Sequence, residues 1–128
     1  MSTDMTIEVD NEPGALARVA AAISDAGVNI AAAACLGGDH RAEVHILVPH
    51  AEAVRHALAI SQMSVTSERE VVVVDVEDRP GQLADLTRII AHAGVQLDLV
   101  YVATGNRVVL GSPDLDGLRD VVDKISTH

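Results

Sequence analysis

Along the first ten positions Met5, Ile7 and Val9 alternate with Thr6, Glu8 and Asp10, the two-residue period of a strand with one buried face. The period then lengthens. Leu16, Val19, Ala20, Ile23 and Ala26 recur at helical spacing, with Pro13 placed for the first turn and Gly27 where a left-handed terminator belongs. Val44, Ile46 and Val48 return to alternation after the turn residues Gly37-Gly38-Asp39. Beyond Pro49, Val54, Ala57 and Leu58 predict a second helix, and Met63 to Ser67 a short closing strand. The segment from Val28 to Leu36 is ambiguous, because its four consecutive alanines would also suit a helix.

A second copy of the pattern resolves the ambiguity. Asn11-Glu12-Pro13-Gly14 has a partner in Asp78-Arg79-Pro80-Gly81 at an offset of 67, and eight of twenty positions are identical between 11–30 and 78–97. The match resumes at an offset of 64, pairing Val44 with Val108, Pro49 with Pro113 and Arg55 with Arg119, so the second hairpin is three residues shorter. Val72, Val74 and Val76 repeat the first strand. Leu83, Leu86, Ile90 and Ala93 repeat the first helix, ending at Gly94. Val95 to Val102, the counterpart of the alanine segment, reads as strand because it is rich in valine and leucine and ends at Tyr101-Val102. Val108 and Leu110 then supply the third strand, and Leu118, Val121, Val122 and Ile125 the last helix.

Each copy predicts β-α-β-β-α, and the first adds the strand that completes a split βαβ unit. The fold class is α+β: two ferredoxin-like βαββαβ units, residues 1–68 and 69–128, the second lacking its last strand, paired side by side with helices on one face of antiparallel sheet. The missing strand leaves an open edge beside Val71-Val72-Val73-Val74, where Val71 and Val73 point away from the helices. That edge predicts assembly as a homodimer.

Composition narrows the chemistry. Nine basic against nineteen acidic side chains give a net charge of −10 with no Lys/Arg cluster, which excludes nucleic acid and anionic membrane as natural partners. Tyr101 is the single aromatic residue, so base stacking has no platform. One cysteine, no export signal and no apolar run near the length of a spanning helix predict a cytoplasmic protein. Neither GxxxxGK[ST] nor GxGxxG occurs, and no nucleophile, base and orienting group stand at a recognisable spacing; no cofactor and no enzyme activity are expected. His45 with Cys35 suggests metal, but the spacing fits no common zinc motif, and the other histidines fall on predicted surfaces. Asp114, Asp116, Asp120 and Asp123 read as a solvated helix face, and Cys35 as a half-buried thiol.

What remains is the duplicated loop. In both copies a strand ends in a short polar side chain and enters a helix through Pro-Gly, where the first backbone N–H groups and the helix dipole favour a small anion such as a carboxylate. With the Asn-Glu-Pro-Gly-Ala-Leu loop at 11–16, the Ala-Gly-Val-Asn-Ile segment at 26–30 and their counterparts at 78–83 and 93–97, the chain resembles the ACT domain, a regulatory module that often binds amino acids. It is similar to the tandem pairs of aspartokinases and glycine-cleavage repressor-like proteins. The resemblance implies an amino acid held between the loop of one unit and the second strand of its neighbour. Carried over, Asn11, Gly14, Ala15 and Leu16 would face Gln96, Leu97 and Asp98. Asp78, Gly81, Gln82 and Leu83 would face Asn29, Ile30 and Ala31. The Asn11 site is the one expected to be occupied, because an amide can both donate and accept whereas Asp78 would repel a ligand carboxylate. The function expected is a non-catalytic sensor acting on an enzyme or regulator. The alternative is a structural subunit that docks on a partner without ligand.

Overall fold

Six strands and four helices make up residues 2–126, the part of the chain that the computed structural model describes. They run β1 (Ser2–Asp10), α1 (Ala15–Asp25), β2 (Ala32–Gly37), β3 (Arg41–Val48), α2 (Ala51–Ile60), β4 (Ser64–Asp75), α3 (Gln82–His92), β5 (Leu99–Ala103), β6 (Arg107–Gly111) and α4 (Leu115–Ser126). The chain divides into two compact units, Met1–Arg69 and Glu70–His128, and the division falls inside β4. The fold is α+β and antiparallel throughout. In unit 1 the strand order is β2-β3-β1-β4; in unit 2 it is β4-β6-β5.

The register explains how each core forms. Met5 pairs with Ile46 and Ile7 with Val44, all on the face that α1 and α2 cover, and they join Val19, Ile23, Val54 and Leu58 in one cluster. In unit 2 Val72 pairs with Leu110 and Val74 with Val108, packing with Leu86, Ile90, Leu118 and Val122. Side chains of this size contribute roughly 1.5–3 kcal/mol each on full burial. Of the helical stripes predicted from sequence, Val19, Ile23, Leu86 and Ile90 lie on the buried faces, whereas Leu16, Ala26, Leu83 and Ala93 are exposed.

Several details add to the sequence reading or depart from it. The short strand near Met63–Ser67 and the strand around Val72–Val76 are one continuous element, β4. Its charged middle is held to each unit's second helix: Arg55 donates to Glu68 at 2.7 and 2.9 Å, and its repeat counterpart Arg119 donates to Glu70 at 2.6 Å. The second strands begin late, at Ala32 and Leu99, because the chain must first leave the left-handed Gly27 (φ 74°) and Gly94 (φ 76°). There the Val28 and Val95 N–H groups donate back to the Ile23 and Ile90 carbonyls. Pro13 and Pro80 precede the helices rather than open them, since α1 starts at Ala15 and α3 at Gln82. Asp114 is exposed, and it also accepts the Gly117 N–H at 3.1 Å and caps α4.

Val71, placed by the alternation on the face away from the helices, is buried at 4% exposure, so that side chain is not left to solvent. Cys35 is exposed rather than half-buried. Its register partner is Val44, whereas His45 pairs with Ala34, so Cys35 and His45 leave opposite faces of the sheet and cannot share a metal. Among the described residues no group of His, Cys, Asp or Glu side chains is placed to hold a metal ion. No helix among them is long and apolar enough to cross a membrane.

Candidate functional site

The two loops share one backbone. Gly14 adopts φ 87°, ψ −7° and Gly81 φ 87°, ψ −6°, each standing at the N-cap of its helix without a side-chain cap. This left-handed geometry costs a side chain about 1–2 kcal/mol, which is why glycine occupies it. The Ala15 and Gln82 N–H groups turn back onto the Glu12 and Arg79 carbonyls, both at 3.3 Å. The first turn of each helix thus points uncapped N–H groups outward past a residue without a side chain, the arrangement that receives a carboxylate. Leu16 and Leu83 stand beside these openings, 48% and 45% exposed.

The side chains around the two openings differ. In unit 1 the Asn11 N–H donates to the His40 carbonyl at 3.0 Å, and its side-chain Nδ2 donates to the Gly38 carbonyl at 2.5 Å. The Asn11 amide therefore lies against the β2–β3 hairpin, close enough to Gly37 that a Cβ there would stand 3.0 Å from Nδ2 and displace the amide slightly. Arg18 pairs with Glu12 at 2.9 Å across the loop. In unit 2 Arg79 reaches Glu77 at 3.2 Å and Asp85 at 3.4 Å, while Asp78 is exposed. Gln82 takes the place of the buried Ala15, and its Oε1 is buried with no hydrogen-bond partner.

The remaining sequence-predicted residues occupy the segments before the second strands. Asn29 is exposed, while Ile30 packs against the unit 1 core and Ala31 is half-buried. Gln96 and Asp98 are exposed, the Asp98 N–H donates to the Gly111 carbonyl at 3.0 Å, and Leu97 packs against the unit 2 core. Within unit 1 the structure brings Asn11 to the hairpin and not to Asn29; the two belong to different loops.

Sequence reasoning missed a polar cluster on the face of unit 1 away from its helices. The register sets Asp10 opposite Arg41 and Glu8 opposite Glu43, and Arg41 donates to Glu8 at 2.7 Å and to Asp10 at 2.5 Å. These two acceptors, hydrogen bonding before charge, hold the Arg41 guanidinium above its ordinary pKa. Next to them His45 lies between two carboxylates, Nδ1 3.1 Å from Asp4 Oδ2 and Nε2 2.9 Å from Glu43 Oε1. Asp4 is fully buried, which a carboxylate tolerates only with partners. A recess of about 450 Å³ lies over this face, lined by Glu8, Leu36, Arg41, Glu43 and Thr66. The strict alternation of β1 and β3 was the available signal: residues opposite a buried stripe share the other face.

The fold has counterparts among known proteins. Residues 3–59, which lie in unit 1, match the family model described as the ACT domain. Among the curated proteins no sequence matches the chain. Solved structures do. Protein BT0572 from Bacteroides thetaiotaomicron superposes with a TM-score of 0.86 at 20% identity, over 97% of this chain and 88% of that one. The regulatory subunit of aspartate kinase from Thermus thermophilus, in its ligand-free form, gives 0.70 at 15% identity, covering 96% and 90%. That from Thermus flavus gives 0.67 at 16%, covering 96% and 91%. At these identities the likeness establishes the fold.

Proposed function

We propose that the chain is a non-catalytic amino-acid sensor that regulates an enzyme or regulator of amino-acid metabolism. The observation that carries this reading is the duplicated opening: the same left-handed glycine, the same uncapped helix start and the same exposed leucine, kept in both units while the side chains around them diverge. The ligand carboxylate sits on the N–H groups behind Gly14, beside Ala15 and Leu16. Asn11, whose Nδ2 is spent on Gly38, presents Oδ1 to the ligand ammonium, and Gln96, Leu97 and Asp98 are the further residues assigned to this site. The opening at Asp78, Gly81, Gln82 and Leu83, to which Asn29, Ile30 and Ala31 are assigned, is the weaker site because Asp78 repels the ligand carboxylate. The ACT match and the regulatory role named for the aspartate kinase subunits support the reading. The sensor is a cytoplasmic homodimer, and ligand acts by binding one arrangement better than another.

Calorimetric titration of the purified protein with each of the twenty amino acids tests this. One or a few should bind with saturable heat, and Gly14→Val, which fills the opening, should abolish the response. No heat from any amino acid would overturn it. The engagement of Asn11 with its own hairpin favours a second reading, a subunit that docks on a partner without ligand. That reading requires partner binding of equal strength with and without amino acids.

A further inference from the structure

The chain enters α4 through Asp114-Leu115-Asp116-Gly117, and Asp116-Gly117 is the single Asp-Gly pair in a sequence that has no Asn-Gly. In such a pair the glycine nitrogen can attack the side-chain carboxyl before it, because no Cβ shields that nitrogen. The carboxyl is open to solvent: the Asp116 side chain is 98% exposed, with Oδ1 3.9 Å from Arg119 Nη1, and Arg119 is held by Glu70 at 2.6 Å. The nitrogen is engaged. Its N–H donates to Asp114 Oδ1 at 3.1 Å, and the Leu118 N–H closes the turn on the Asp114 carbonyl, also at 3.1 Å. Asp114 is fixed in turn by its own N–H, which donates to the Oγ of the buried Ser112 at 3.0 Å. Glycine is required at 117, since a Cβ there would collide with Asp114 Oδ2 and push the capping carboxylate off the N–H. The cap that occupies the nitrogen thus demands the residue that makes it reactive.

We propose that Asp116 is a site of covalent self-modification, conversion to isoaspartate, and that the Asp114 cap holds the reaction back. The Gly117 nitrogen forms a bond to Asp116 Cγ, and the hydroxyl of the protonated carboxyl leaves with the amide proton as water. The five-membered imide then takes up one water at either carbonyl. Opening at Cγ restores aspartate. Opening at the main-chain carbonyl leaves an α-carboxylate and a backbone that runs through Cβ and Cγ, one carbon longer. No oxidant and no partner is consumed. To reach Cγ the nitrogen must leave its helical position, so the step proceeds only from a first turn that has opened, and Asp114 keeps that turn closed. The added carbon lies inside the ring closed by the Leu118 N–H, and Leu118 is fully buried in the unit 2 core, so the modified turn cannot close with that side chain seated. This inference is independent of the ligand and of the assembly.

The test is incubation of the full chain at neutral pH and physiological temperature. Isoaspartate is read by methyl transfer from labelled S-adenosylmethionine with a protein isoaspartate methyltransferase, and located by peptide mapping. In wild type unfolded in urea Asp116 should be the first aspartate converted, and folded wild type should convert there about tenfold more slowly or slower still. Asp114→Ala should convert about fivefold faster than folded wild type, the gain in open first turn that loss of a cap implies. Asp114→Asn keeps a capping oxygen and should stay at the wild-type rate, while Asp116→Glu should remove the signal from that position. Circular dichroism reports whether each variant folds, and the comparison of folded with unfolded wild type carries the test if Asp114→Ala fails. Another aspartate converting first in the unfolded chain would overturn the site. Folded wild type converting as fast as unfolded, Asp114→Ala no faster than wild type, or Asp114→Asn as fast as Asp114→Ala would each overturn the role of the cap.

Discussion

The loops entering α1 and α3 are nearly superposable in backbone and differ in what their side chains do. Around Gly14 an amide is bonded to the neighbouring hairpin and a short ion pair closes over the turn; around Gly81 a carboxylate stays in solvent and an amide oxygen is buried without a partner. Duplication has preserved the part of the loop that sterics dictate, the left-handed glycine before an uncapped helix. It has released the side chains around that glycine. Divergent function in a repeat is therefore found beside the invariant backbone rather than in it.

The largest effects should come from the cores that support the two loops. Ile23→Ala and Ile90→Ala remove repeat-equivalent side chains, both at 0% exposure, and each should cost about 2–5 kcal/mol. Because β4 belongs to both units, differential scanning calorimetry should show one transition lowered by either variant. Two separately shifted transitions would show that the units melt independently.

The loops themselves should respond alike to one change and unlike to another. Gly14→Ala and Gly81→Ala should each cost about 1–2 kcal/mol in denaturant unfolding, since the conformations match and an added Cβ meets nothing closer than Arg18 Nη1 at 3.6 Å. Unequal costs would mean that one loop carries strain the other lacks. Asn11→Ala should cost about 1 kcal/mol through the lost bond to Gly38. Asp78→Ala should be near neutral.

The smallest effect is electrostatic. The hydrogen bonds from Arg55, with its charge adding, outweigh desolvation and hold Glu68 below the ordinary glutamate range. A carboxyl lowered in the folded state contributes stability above its unfolded pKa and loses it as pH falls through the folded value. Glu68→Gln should therefore lower stability slightly at neutral pH, and the difference from wild type should vanish under acid. A difference that persists in acid would assign the effect to packing instead.

Much of this architecture was legible in the chain. The repeat identified the alanine segment as strand, and Gly27 and Gly94 were read as left-handed terminators from their place after the apolar stripe. The continuity of β4 was not legible, because Ser67-Glu68-Arg69-Glu70 looks like a connection until Arg55 and Arg119 are seen to hold its two glutamates. Asp4 was equally hidden. Alternation puts it on the outward face, and only the pairing of β1 with β3 sets it beside His45. Local pattern reports which face a side chain takes; it does not report what covers that face.

The absence of any connector has a price for anyone who would engineer the molecule. Since Ser64–Asp75 is one strand, there is no seam at which to cut: expressing either half alone would truncate a ladder element of both. A single inserted residue near Arg69 would turn every following valine of the strand over, exchanging Val72 and Val74 for Val71 and Val73 against the helices.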